Sequence, residues 1–100
     1  MAWQVIIHTK SDTAQTSQYF KDDANGPAAA SIVAKYRENG WLETSAREII
    51  DGDETHVKDV MLFVDKEKRE AFKEEMEEAH GGDTKTAVDM DITIVSEGEV

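Results

Sequence analysis

His8 is the residue in this chain best suited to proton transfer, because an imidazole titrates near neutrality and its pKa is readily tuned by its surroundings. It falls late in a run where Trp3, Val5 and Ile7 alternate with Gln4, Ile6 and His8, so it shares a face with Gln4 and Ile6. There it is a candidate general base or ligand-orienting group, and the competing role is a plain hydrogen bond across a sheet or interface. A second cluster, Asp51, Asp53, Glu54 and His56, has the ligand types for a divalent cation. A calcium loop, however, requires Gly at its sixth position and Glu at its twelfth. Counted from Asp51 those positions are His56 and Leu62, so the template fails and the cluster reads as a polar turn, with no metal site expected. His80 and Asp83 flank Gly81-Gly82 at the end of a helical stretch, where a cation-friendly helix terminus accounts for the histidine. A ligand pocket, if one exists, is expected among Tyr19, Phe20, Tyr36 and Trp41, the last following directly on a helix-ending glycine.

Composition excludes several chemistries. The chain has no cysteine among its 100 residues, which removes disulfides, thiolate zinc sites and thiol nucleophiles. No P-loop or dinucleotide fingerprint occurs, nothing places a base beside a serine as a hydrolytic triad needs, and no cofactor is implied. The formal net charge is −11, from 22 acidic and 11 basic side chains. That field repels phosphate, so neither nucleic acid nor an anionic membrane is expected as a partner, whereas a basic protein partner fits. No apolar run approaches the roughly 20 residues of a membrane span. Met1-Ala2-Trp3-Gln4 has neither the basic nor the apolar region of a signal peptide, and a cytoplasmic location is the expectation.

The elements that must position these residues follow from periodicity. After the first strand, residues 11–25 form a long polar loop, functional or hiding a short helix, with Tyr19 and Phe20 as its only large apolar groups. Gly26-Pro27 opens a helix, Asn25 or Gly26 lying near the cap. Ala29, Ile32, Val33 and Tyr36 give it one apolar face, and Asn39-Gly40 closes it. Trp41 to Ile50 reads as an edge strand with weak alternation. Asp51-Gly52 is a hairpin turn. Val57 to Val64 is apolar at both parities, as a strand covered on both sides must be. Asp65 caps a second helix with Phe72, Met76 and Ala79 as its apolar stripe. Val88, Met90, Ile92 and Ile94 face inward on the last strand, and Ser96 to Val100 is expected to fray.

Strand, helix, strand, strand, helix, strand in one domain of 100 residues predicts an α+β fold: a four-stranded antiparallel sheet with both helices on one face. The order resembles the ferredoxin-like fold. The segment Val60 to Met76, VMLFVDKEKREAFKEEM, running from third strand into helix, is similar to the dimeric α/β-barrel group, which includes the antibiotic-biosynthesis-type monooxygenases. The resemblance implies paired sheets and pockets between sheet and helices. It carries over no catalytic residue, because no motif of that group is matched.

The side of the sheet without helices must receive Ile6, together with one parity of the third strand: Val60, Leu62 and Val64, or else Met61 and Phe63. Exposed apolar area of that kind marks an interface or ligand site. The expected interface therefore comprises Ile6, His8, Val60, Leu62 and Val64, self-association is the first reading, and the alternative is that the loop or tail folds over it. Three functions compete. The first is a small acidic interaction or regulatory module, homodimeric through its open sheet. The second is a cofactor-independent enzyme of dimeric-barrel type, monooxygenase- or isomerase-like, acting on a small apolar molecule with His8 in a closed pocket. The third is an acidic mimic of nucleic acid that blocks a basic protein, motivated by the net charge and by Glu70, Glu74, Glu77, Glu78, Asp89 and Asp91.

Overall fold

The first strand, β1, takes residues Trp3–Ser11, and its alternation buries Val5 completely while leaving its neighbours half-buried. The computed structural model describes residues 2–23, 26–81 and 90–100. The expectations placed on Asn25, Gly82, Asp83, Val88 and Asp89 lie outside the described residues. In chain order β1 is followed by α1 (Gln18–Asp23), α2 (Gly26–Glu38), β2 (Leu42–Ile50), β3 (Asp53–Phe63), α3 (Lys66–Gly81) and β4 (Met90–Glu99). The strands form one sheet in the order β2-β3-β1-β4, with every neighbouring pair antiparallel.

Register assigns the two faces. Trp3, Val5, Ile7 and Thr9 stand opposite Phe63, Met61, Asp59 and Val57 on β3. This face meets α2 and α3, because Val5, Leu42 and Phe63 pack with Tyr36 and Phe72 into the core. The other parity puts Gln4, Ile6, His8 and Lys10 beside Leu62, Val60, Lys58 and His56. The open side therefore receives Val60 and Leu62, while Met61 and Phe63 face the helices. Its apolar area is confined to the centre, around Ile6, Val60, Leu62 and Ala46, and polar side chains surround it. Val64 lies just past the end of β3.

Local chemistry explains the element ends. Asp51 and Gly52 both have positive φ, 52° and 71°, as a primed two-residue turn requires. Pairing resumes at once with Ile50 opposite Asp53. Strand β3 thus begins four residues before the expected Val57, and Asp53, Glu54 and His56 belong to a paired strand rather than to a loose tip. At the end of α2, Gly40 has φ 72°. Its N–H donates to the Arg37 carbonyl at 3.1 Å, and the Trp41 N–H to the Tyr36 carbonyl at 2.9 Å, a Schellman closure. Asp65 caps α3 by accepting from the Lys68 N–H at 2.8 Å.

One expectation is corrected. Residues 96–100 do not fray: Ser96, Glu97, Gly98 and Glu99 pair with Ile6, Val5, Gln4 and Trp3 across a bulge, and the Val100 N–H donates to the Ala2 carbonyl. Strand β1 is central, and its backbone groups along that edge need partners through its whole length. Of the two readings of residues 11–25, a functional loop or a hidden short helix, the second is met in part, since they contain α1. Ser17 Oγ accepts from the Phe20 N–H at 3.1 Å to start that helix, and the Gln15 N–H donates to the Glu54 carbonyl at 2.8 Å. The segment is stitched to the end of the β-hairpin.

Candidate functional site

Between sheet and helices lies a cleft of about 940 Å³, at the upper end of the range for small-molecule sites. The sequence leaves it open for a steric reason. Aromatic residues fill one end of the sheet–helix layer, where Tyr36, Phe63 and Phe72 stack with ring centroids 5.1 and 5.2 Å apart. At the other end Phe20 packs with Met90 as a separate small cluster. Between them α2 presents the short side chains of Ala29, Ala30 and Val33 to the cleft. On the sheet side, Ile92 and Ile94 of β4 share the parity of Thr9 and Ile7 and line the same cleft. They are 59% and 41% exposed, on the helix side of the sheet with no helix above them among the described residues.

The wall is electrostatically unlike the rest of the molecule. All three arginines of this acidic chain, Arg37, Arg47 and Arg69, line it together with Lys21 and Lys73, against only Asp59 and Glu77. Arg47 grips Asp59 as a fork, Nε to Oδ1 at 2.9 Å and Nη2 to Oδ2 at 3.2 Å. Arg69, 3% exposed, donates through Nε to Glu97 Oε1 at 3.0 Å. The Trp3 indole N–H donates to the same oxygen at 2.9 Å. Arg37 donates to the Ser45 hydroxyl, a neutral partner. An anion, or negative charge developing on a bound molecule, would be stabilised by this surplus of cations.

Behind the wall, Glu75 accepts from both Lys35 and the Tyr36 hydroxyl. Those two bonds, that of Lys35 first, hold the Glu75 carboxyl below the usual carboxylate range. Burial and the same carboxylate push the Tyr36 phenol well above its ordinary value. Tyr36 therefore stays neutral and acts as a strut between α2 and α3. On β3, Asp53 is held low by accepting from the hydroxyl and the backbone N–H of Thr55, a local turn contact.

Of the four aromatics expected to line a pocket, the structure brings only Phe20 to the cleft. Tyr36 is buried in the core and Trp41 stacks on it edge-to-face at 5.2 Å, the Schellman closure having delivered Trp41 there. Tyr19 is 59% exposed and takes no part in the wall. His8 is not in the wall either. It faces the open side, its ring 5.5 Å from that of His56 in an edge-to-face arrangement, because β-strand parity separates it from the cleft-lining Ile7 and Thr9. The notion of His8 inside a closed pocket is corrected accordingly. Among the described residues no group of three or more His, Asp or Glu is placed to hold a metal ion. Sequence reasoning missed Gln15 and the three arginines. The signal available was contrast: in a chain whose bases are mostly lysine, the three arginines are the planar, multiply hydrogen-bonding cations.

No family model matches this chain, and no curated protein does. Among solved structures it is similar to a protein from Caulobacter crescentus named provisionally as an antibiotic biosynthesis monooxygenase. The likeness has a TM-score of 0.51 at 15% identity and covers 95% of this chain and 90% of the other. The fold is ferredoxin-like. At that identity the likeness concerns backbone architecture alone, and a fold of this kind hosts unrelated activities. No helix among the described residues is long and apolar enough to cross a membrane.

Proposed function

We propose that this chain is a small-molecule enzyme of dimeric α/β-barrel type, monooxygenase- or isomerase-like, which binds a small and largely apolar molecule in the cleft between sheet and helices. One observation carries the reading: a ligand-sized apolar cavity whose rim concentrates the arginines of an acidic protein. Such a wall suits a substrate that loses a proton and passes through an anion. The Asp59 and Glu77 carboxylates are the groups in the wall able to accept that proton, and Arg37, Arg69 and Lys73 would hold the anion. In the isomerase-like case the proton returns to another carbon of the same molecule. In the oxygenase-like case a CH2 group and molecular oxygen yield C=O and water, oxygen serving as the oxidant.

Pairing of two copies through the open sheet belongs to this proposal. The apolar centre formed by Ile6, Val60 and Leu62, bordered at one end by Lys58 opposite Glu48 and Lys10 opposite Asp91, supports a self-complementary contact. The same patch favours a second reading, a dimeric binding or regulatory module without turnover, which the acidic composition suits equally.

The test takes the anionic, apolar dye 1-anilinonaphthalene-8-sulfonate as probe, followed by carbon acids flanked by carbonyl groups as substrates. Dye binding is expected in the wild type and lost in Ala30→Trp, which fills the cleft. Solvent deuterium exchange or oxygen uptake with a carbon acid then separates enzyme from binding module. Dye binding that ignores the Ala30→Trp change overturns the assignment of the site.

A further inference from the structure

The three arginines of the cleft wall are not equivalent. Arg47 is committed to Asp59 by a two-point fork, and Arg69 to Glu97. Arg37, from the last turn of α2, crosses to β2 and donates to the Ser45 hydroxyl. In a chain with 22 acidic side chains, it has no carboxylate partner among the described residues. Arg37 is exposed and Ser45 half-buried, and both line the cleft, so a molecule entering there can reach the contact. Because Ser45 Oγ accepts from the guanidinium, the hydroxyl's own proton points away from Arg37. That proton makes no hydrogen bond among the described residues. The remaining N–H groups of the guanidinium and this O–H are neighbouring donors without an acceptor, the complement of a carboxylate. Lys21 and Lys73, likewise without an ion pair among the described residues, add positive potential to the same wall.

We infer that Arg37 and Ser45 seat a carboxylate of the cleft's ligand, which makes the ligand class an apolar monocarboxylic acid. The inference rests on the reading of the cleft as a small-molecule site and narrows it. The molecule carries one permanent negative charge before any reaction, held at the β2 side of the cleft, which leaves Lys73 to meet charge that develops later. Charge balance selects a single carboxylate over a phosphate. Five basic against two acidic side chains in the wall favour a negative group locally. The whole chain, however, carries −11, and it repels a dianion about twice as strongly as a monoanion. Phe20, Met90, Ile92 and Ile94 supply the packing for the apolar body. A neutral amide, ketone or hydrocarbon of the same shape would leave the guanidinium without a counter-charge, so such molecules are selected against.

The experiment titrates 2-naphthoate and 2-naphthamide, probes of nearly equal shape that differ in charge, into the wild type, Arg37→Gln, Ser45→Ala and Lys66→Gln by calorimetry at low salt. The wild type is expected to prefer naphthoate by about tenfold, the worth of one charge-assisted contact at an exposed arginine. The preference is expected to fall below about threefold in Arg37→Gln and to an intermediate value in Ser45→Ala. Lys66 is exposed and lies outside the cleft wall, so Lys66→Gln controls for net charge and should keep the preference. Naphthamide should bind all four proteins alike, since it reports the cleft rather than the seat. Equal affinity of both probes for the wild type overturns the carboxylate seat and leaves the cleft assignment standing. A preference that survives in Arg37→Gln, or that falls as far in Lys66→Gln, overturns the role of Arg37. Binding of neither probe overturns the seat and the reading of the cleft together.

Discussion

Replacing Glu97 with alanine is expected to be among the most damaging single changes outside the aromatic core, although the residue sits near the chain's end. Glu97 Oε1 collects the Arg69 Nε–H at 3.0 Å and the Trp3 indole N–H at 2.9 Å. The two partners differ in exposure: the Arg69 side chain is 3% exposed and that of Glu97 29%. Breaking a fully buried ion pair by removing one partner costs about 3–5 kcal/mol, and access of water to Glu97 lowers this to about 2–3 kcal/mol. Glu97→Gln keeps an acceptor for both donors and should cost about 1 kcal/mol. Arg69→Met removes the buried cation and leaves an apolar side chain beside the Phe63 ring, which now lies 6.0 Å from the guanidinium carbon. It should cost less than Glu97→Ala, and the two changes should be coupled by about 1–2 kcal/mol. Urea unfolding followed by tryptophan fluorescence at fixed protein concentration reads these differences as midpoint shifts at constant slope. If Glu97→Ala loses under about 0.5 kcal/mol, or Arg69→Met proves the costlier change, the buried pair does not tie β4 to α3 and the reasoning fails.

Three further outcomes are expected. Asp65→Ala removes the acceptor of the Lys68 N–H and should destabilise the protein by about 1 kcal/mol, whereas Asp65→Asn should cost a few tenths of that; equal losses would refute the capping role. Leu62→Lys puts a charge at the apolar centre of the open sheet opposite Gln4, so sedimentation is expected to show a dimer for the wild type and a monomer for the variant, with the helical circular dichroism unchanged. The Glu75 carboxyl is held below its usual range chiefly by Lys35 and then by Tyr36. Its stabilisation is therefore present above the unfolded value of about 4.3 and is lost as pH falls through the lower folded value. The stability gap between wild type and Glu75→Gln should accordingly be widest at neutral pH and narrow below about pH 4. A gap that widens in acid would contradict the sign.

Much of the layering was legible before any coordinates, because strand and helix patterns report one-dimensional facts about burial. Val60 to Val64 is apolar at both parities, the pattern of an interior strand, and β3 does lie between β2 and β1. Asp51-Gly52 and Asn39-Gly40 marked their turns because positive φ restricts residue choice locally. What periodicity could not decide was which parity of β3 meets the helices. That depends on register against β1 and on where Tyr36 and Phe72 arrive from sequence-distant helices. Nor could it show that residues 96–99 are paired, since their polarity is that of a tail while their hydrogen bonds are demanded by β1.

The candidate site was the least readable part, for a geometric reason. His8 and Ile7 are adjacent in sequence yet point to opposite sides of the sheet, so a residue of suitable chemistry stands on the face away from the cleft. Gln15, Arg37, Arg47 and Arg69 come from four different segments, and no spacing along the chain relates them. Residue types alone determined the acidic charge, the absence of thiol chemistry and the α+β order. Tertiary structure alone decided where the few arginines gather, because a cavity is defined by what fails to meet across it.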